Sequence, residues 1–203
     1  MTRAKGPRHR VPFRRRREKK TDYYSRKRTV LSRRNRLVIR PSTRHVTAQV
    51  VEAHPKSDIT LASSHSSELS SFGWKGGTGN LPAAYLTGLI LGLRARSKGV
   101  ESAVLDVGVK KPVAGSRTYA TLKGALDAGL IVPHREDVFA KEDRFGGKHI
   151  ASYGALLVDS EEATYQRRFS RLLSQGVSPE KITDLFESTR SSILESFEDD
   201  SKT

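Results

Sequence analysis

Six cations fall within residues 14–20, as Arg14, Arg15, Arg16, Arg17, Lys19 and Lys20. Such spacing suits the neutralising of a closely spaced row of phosphates. Each guanidinium is a planar fork that can hold two phosphate oxygens at once. Phe13, Tyr23 and Tyr24 stand beside the block and could stack on nucleobases. Arg26, Lys27, Arg28, Arg33 and Arg34 extend the cationic stretch. Residues 1–44 hold 18 Lys and Arg against only Glu18 and Asp22, a net charge of +16. The other 159 residues hold 19 basic and 20 acidic side chains, so the body is neutral and the excess sits at one end. A segment so charged repels itself and stays extended unless a counter-charge arrives. Nucleic-acid phosphates supply it, and released counterions drive the binding. A membrane surface is a poorer partner, because residues 1–36 offer no apolar face for an interfacial helix. A solvated tail or a nuclear-import signal would explain the charge without a ligand of this kind. Charge alone does not separate RNA from DNA.

Three further places could add contacts. Arg40, Arg44, His45 and Gln49 surround a turn between strand-like runs, where outward polar groups can meet phosphate or a 2′-hydroxyl. The glycine-rich stretch Phe72–Asn80 leads into a helix start, which favours anions. It is not a Walker A loop, because Lys75 precedes the glycines and no Gly-Lys-Ser/Thr follows. Trp74, the only tryptophan, suits a stacking platform and a packing residue equally. Lys110, Lys111 and Arg117 flank another turn, either as phosphate contacts or as a solvated loop. Catalysis has little support. Asp106 could be a metal carboxylate, but a two-metal site needs several converging acids, and the strand-like run Arg36–Arg40 has none. The six histidines are scattered without metal-ligand spacing. Ser63-Ser64-His65-Ser66 and His134-Arg135-Glu136-Asp137 read as polar loops. No enzyme activity, metal or cofactor is expected. A nuclease and a chromatin-type DNA protein remain the rival classes.

The absence of cysteine excludes disulfides and thiolate metal sites. No apolar core follows the basic N-terminal residues, so no secretory leader is expected. The apolar stretch around Leu81–Leu93 is too short to span a bilayer. A soluble intracellular protein is therefore expected.

The elements that must position these residues can be read from periodicity. Gly6, Pro7 and Pro12 point to a disordered arm through residue 22, and Tyr23–Arg34 reads as a marginal basic helix or turn that forms on RNA. Arg36–Arg40, His45–Ala53 and Asp58–Ser63 read as strands with short links, hence an antiparallel meander. Asn80 and Pro82 mark the start of a helix that is apolar nearly all round and should be buried. Its Ala84, Gly88 and Gly92 would let it lie close to a sheet. Ala103–Val107 reads as a short strand and Ser116–Ala128 as a helix ended by Gly129. Residues 133–154 read as loops. Tyr165, Phe169, Leu172 and Leu173 form one helical stripe. Ile182, Leu185, Phe186, Thr189, Ile193 and Phe197 form another, capped by Ser178 with Pro179 in first position, giving a C-terminal αα-hairpin.

Specific strings carry a resemblance. Tyr23–Thr29 (YYSRKRT), Arg36–Val50 (RLVIRPSTRHVTAQV), Asn80–Leu93, Leu105–Val109, Leu122–His134, Tyr165–Phe169 and Val177-Ser178-Pro179 resemble, in order, the family of large-subunit ribosomal proteins that bind 5S rRNA. That family is numbered eighteen in bacteria and five in eukaryotes, and the length and C-terminal hairpin look archaeal. The resemblance implies an α/β fold with a ribonuclease-H-like β-β-β-α-β-α core and no catalytic acids. It divides the chain into a basic RNA-binding arm (1–35), a core (36–132) and a C-terminal extension (133–203). It implies binding to 5S rRNA and attachment of that RNA to the large subunit in the central protuberance. Neighbours would be 23S-type rRNA, the other 5S-binding ribosomal protein and adjacent large-subunit proteins, on cytoplasmic ribosomes and away from membranes. The positions it implicates are Tyr23, Tyr24, Arg26, Lys27, Arg28, Arg40, Ser42, Arg44, His45 and Gln49, with Trp74–Thr78 less firmly matched.

Overall fold

The computed structural model describes residues 6–55, 57–109, 111 and 113–200. It is an α/β structure with a four-stranded mixed sheet. Strand β1 (Arg36–Pro41) pairs antiparallel with β2 (Val46–Ala53), and β2 pairs antiparallel with β3 (Asp58–His65). The short β4 (Val104–Asp106) joins the other side of β1 in parallel, giving the order β3-β2-β1-β4. The meander expected from the short links is present. Strand side chains alternate between faces. Leu37, Ile39, Val46, Ala48 and Val50 point inward and are fully buried. Arg36, Val38, Arg40 and Gln49 alternate with them and share the opposite face, across which Val38 pairs with Gln49. A register shift between Val50 and Val51 buries both valines.

The inner face is covered by α3, after two N-terminal helices, α1 (Arg14–Arg17) and α2 (Tyr23–Ser32). α3 (Leu81–Ser97) starts where the Asn80 side chain accepts a hydrogen bond from the Ala83 N–H at 2.9 Å. Twelve of its residues are buried, as expected of a helix apolar on every side. Ser64 Oγ donates to the Thr87 carbonyl at 2.9 Å and fastens β3 to it. α4 (Arg117–Asp127) then packs on α3 as a further layer.

The close approach expected of Gly88 and Gly92 is real, but it is made to α4 rather than to the sheet. A Cβ on Gly88 would overlap the Thr121 carbonyl oxygen, and one on Gly124 would overlap that of Tyr85. A Cβ on Gly92 would come within 2.5 Å of the Ala128 methyl. Glycines on both helices therefore bring two backbones together. The same helix also packs on β2 and β3, and its larger side chains Leu86 and Ile90 are fully buried.

Residues 133–154 are not all loop. α5 (Glu142–Phe145) and the first half of α6 (Lys148–Ser160) lie within them. Gly146-Gly147 gave the loop signal, yet Gly147 is the positive-φ residue that admits the chain to α6. Ile150, Tyr153, Gly154 and Leu157 supply the helical period. α7 (Glu162–Ser174) and α8 (Ile182–Asp200) follow. α6 packs on both α7 and α8, so the extension is larger than a two-helix hairpin. Pro179 lies in a 3₁₀ turn (Pro179–Lys181) ahead of α8, and Ser178 makes no side-chain cap bond. The α8 stripe is correct: Ile182, Phe186, Thr189 and Ile193 are buried. Tyr85 links the layers, with Phe145 stacked 5.9 Å and Phe186 5.5 Å from its ring centroid.

Candidate nucleic-acid interface

The basic stretch is ordered by its own two acids. Asp22 caps α2 by accepting from the N–H groups of Tyr24 (3.0 Å) and Ser25 (3.4 Å). Its other oxygen accepts from the Ser25 hydroxyl at 2.7 Å. That hydroxyl, the two N–H groups and Arg16 hold the Asp22 carboxyl below its ordinary pKa. Arg33, with φ of 54°, ends the helix. Glu18 pairs with Arg14 at 3.8 Å and Lys20 at 3.0 Å, and Arg16 reaches Asp22 at 3.7 Å. Arg15 donates to Thr21 Oγ1. Among the described residues of the arm, α1 is a single turn and the rest is irregular, while α2 is a capped helix where the sequence suggested a marginal one. The cap supplies partners for N–H groups that a helix start leaves unsatisfied.

α2 buries none of its residues, and polar contacts hold it. Arg26 donates to Asp58 at 2.7 Å and to the His54 carbonyl at 3.2 Å, anchoring the helix to the β2–β3 end of the sheet. Asp58 also accepts from Arg36. Arg36 in turn donates to Asp106 at 2.9 Å, and Arg40 donates to the other Asp106 oxygen at 2.9 Å. The outer sheet face thus carries a chain of alternating charge: Arg26, Asp58, Arg36, Asp106, Arg40. Burial raises the Asp106 pKa, but the hydrogen bond and charge of Arg40, the Gly108 N–H and Arg36 outweigh it and hold the carboxyl below its ordinary value. Asp106 is thereby saturated by guanidinium groups, which is the wrong environment for a metal carboxylate. Among the described residues, no group of three or more His, Asp or Glu could hold a metal ion.

The second cluster is the β1–β2 turn. Ser42 Oγ donates to the His45 carbonyl and accepts from its N–H, both at 3.0 Å, which closes the turn. Thr78 Oγ1 donates to the Arg44 carbonyl at 2.8 Å. Gly79 approaches so closely that a Cβ there would lie 3.0 Å from the same carbonyl oxygen. Arg117 donates to the carbonyls of Ser42 (2.8 Å) and Gly79 (3.1 Å). The glycine-rich loop, the turn and the start of α4 are therefore one clamped unit. His45 is half-buried, its ring 4.9 Å from that of His65, and Gln49 is half-buried on the outer face.

The expected contact residues differ in how free their side chains are. Arg17, Lys19, Lys27, Arg33, Arg34, Arg44, Lys75 and Lys111 are exposed, with no side-chain partner among the described residues. Arg28 lies 4.5 Å over the Tyr24 ring, and Tyr24 and Phe13 are exposed, with Phe13 5.0 Å from Tyr23. Arg26, Arg40 and Arg117 are committed to internal bonds. Trp74 is no platform: it is 4% exposed, belongs to the core and donates its indole N–H to the Gly77 carbonyl at 3.3 Å. Lys110 lies outside the described residues. Sequence reasoning overlooked Arg36 and Asp58 as site-forming groups. The signal available was an arginine at an outward strand position with acids at the ends of two other strands.

The family model described as "Ribosomal large subunit proteins 60S L5, and 50S L18" matches residues 7–102 and 95–135. The "Large ribosomal subunit protein uL18" of Caldivirga maquilingensis is 51% identical over 195 residues, covering 96% of this chain and 94% of that protein. No helix among the described residues is long and apolar enough to cross a membrane. A match of that length, on a chain whose outer sheet face pairs its acids with arginines, places the chain in this family of large-subunit ribosomal proteins, which are structural constituents of a ribonucleoprotein and not enzymes.

Proposed function

We propose that this chain binds 5S rRNA and attaches it to the large subunit within the central protuberance of cytoplasmic ribosomes. Its neighbours there are 23S-type rRNA, the other 5S-binding ribosomal protein and adjacent large-subunit proteins. The observation that carries the reading is the set of unpartnered cations running from the arm (Arg17, Lys19, Lys27, Arg33, Arg34) to the β1–β2 turn (Arg44). Free guanidinium and ammonium groups on one ordered scaffold fit phosphates at fixed positions. Tyr24 and Phe13 present exposed rings to unstacked bases. Arg26, Arg40 and Arg117 serve by holding α2, the sheet face and the turn in place. In this reading residues 1–35 grip, the core 36–132 selects by shape and 133–203 extend the body toward other components. The sheet order with its parallel β1–β4 pair fits a ribonuclease-H-like core in which arginines occupy the centre of the outer face.

The test is a titration of the full chain with isolated 5S rRNA and with a size-matched tRNA over a range of salt. Preference for 5S rRNA is expected, with log affinity falling by roughly 0.7 to 0.9 per phosphate neutralised for each decade of salt. Equal affinity for both RNAs at moderate salt would overturn the 5S assignment.

A further inference from the structure

A cavity of about 520 Å³ opens between the glycine-rich loop and the helices α6 and α7. This volume is within the range of about 300–1,000 Å³ common for small-ligand sites. It lies apart from the arm and the outer sheet face, sharing no lining residue with the pocket there. Its base is apolar, formed by the buried Leu172 and Ile182. Its wall holds Tyr153 and Phe169, ring centroids 6.1 Å apart and tilted by 59°. Tyr153 is 41% exposed, an unusual expense of aromatic surface beside a hydrophobic floor. Lys75, Arg168 and Arg171 stand on the rim, exposed and without side-chain partners among the described residues. Among the described residues, no Asp or Glu lines the cavity.

An apolar ligand would account for the floor but not for the cations. A phosphate alone would account for the cations but not for the rings. A nucleotide accounts for both, because every base has a face to stack and every linkage a charge to neutralise. His149 adds a polar group: its Nδ1 is buried with no hydrogen-bond partner. Burial, then the nearby Arg144, favours its neutral form, which can both donate to and accept from a base edge.

We propose that this cavity receives one unstacked nucleotide of ribosomal RNA, its base against Tyr153 and Phe169 and its phosphates on Lys75, Arg168 and Arg171. The proposal rests on the rRNA-bound reading above but uses a separate face, so the two can fail separately. The experiment is photocrosslinking of the full chain to short single-stranded RNA carrying thiouridine, with crosslinked peptides mapped by mass spectrometry. Crosslinks within residues 149–172 are expected beside those on the arm. Tyr153→Ala and Arg168→Ala should each reduce the former on the order of tenfold, the scale of one lost stacking or charge contact. Arm crosslinks and the thermal midpoint should be unchanged; Arg168 is exposed, so its variant keeps the test valid if Tyr153→Ala misfolds. Arm crosslinks alone, or cavity crosslinks indifferent to both substitutions, would overturn the proposal. So would displacement by an acidic phenylalanine-containing peptide as effective as displacement by unlabelled RNA. No crosslinks anywhere would remove the RNA-binding reading and this proposal with it.

Discussion

Arg36 offers the sharpest test of how the outer sheet face is held. It is 7% exposed and donates to Asp58 and to Asp106. Removing one partner of a buried pair costs about 3–5 kcal/mol when it strands a charge. Here each carboxylate keeps a second guanidinium, Arg26 on Asp58 and Arg40 on Asp106. Arg36→Met should therefore cost less, about 2 kcal/mol. Arg40, 45% exposed at its side chain, should cost about 1 kcal/mol or less as Arg40→Ala, the range of exposed pairs. The double substitution leaves Asp106 in its half-buried position with no cation. It should exceed the sum of the singles by about 1–2 kcal/mol, within the coupling seen for residues sharing one network. Urea unfolding of the four proteins measures this, provided the m-value stays constant.

The pH dependence adds a sign. In the parent chain the Asp106 pKa is lowered from 3.8, so its contribution is present above that value and is lost as pH falls through the folded pKa. In the double variant both guanidinium contributions are gone and the Gly108 N–H alone is left against burial, so the pKa rises. Its penalty should then grow as pH rises from about 4 toward neutrality. Additivity within about 0.5 kcal/mol at neutral pH, or equal penalties at pH 4 and pH 7, would refute the relay.

Other perturbations separate grip from scaffold. Arg33→Ala, Arg34→Ala and Arg44→Ala should each lower the salt slope of RNA binding by roughly 0.7 to 0.9 and leave the unfolding midpoint unmoved; a lost midpoint would make them structural. Gly88→Ala and Gly124→Ala force a methyl into a backbone carbonyl of the facing helix, so each should cost about 3 kcal/mol or more, the upper end of overpacking, read by chemical denaturation. Asp22→Ala should lower the far-ultraviolet helix signal. In the parent that signal should fall only as pH drops through the depressed Asp22 pKa.

Much of this was legible because local rules agreed with one another. Leu37 and Ile39 alternate with charged neighbours, so β1 could be read as half-buried and its inner face named. Asn80 with Pro82 announced the start of α3, and its all-round apolarity announced burial. The failures came where a residue type has two uses. Gly146-Gly147 marks a loop in most settings and here serves a helix entry. Trp74 beside Lys75 in a polar stretch looks like a platform, but Gly76 gives the indole room to fold back: a Cβ there would sit 2.5 Å from the ring. Gly88 reports close approach without saying to what, because the partner, Thr121, lies on another element.

The charges hold the deeper lesson. Sequence counts every arginine alike, whereas the fold sorts them by whether an acid lies within reach. Arg26, Arg36 and Arg40 face only Asp58 and Asp106 on the outer sheet face, so three cations share two anions there. The interior relay thus stays nearly neutral and rigid, while its one surplus charge falls on the exposed end at Arg40. Across the β1–β2 turn, Arg44 has no acid at all. The sheet therefore grows more electropositive toward that turn, and under the proposed RNA-binding function a polyanion on the arm would be drawn along β1 to the turn that Thr78 and Arg117 clamp. A basic tail on a loose support would bind phosphates with no register. Here the acids of the scaffold set where the free cations stand, and under the proposed function selectivity follows from which arginines are left free.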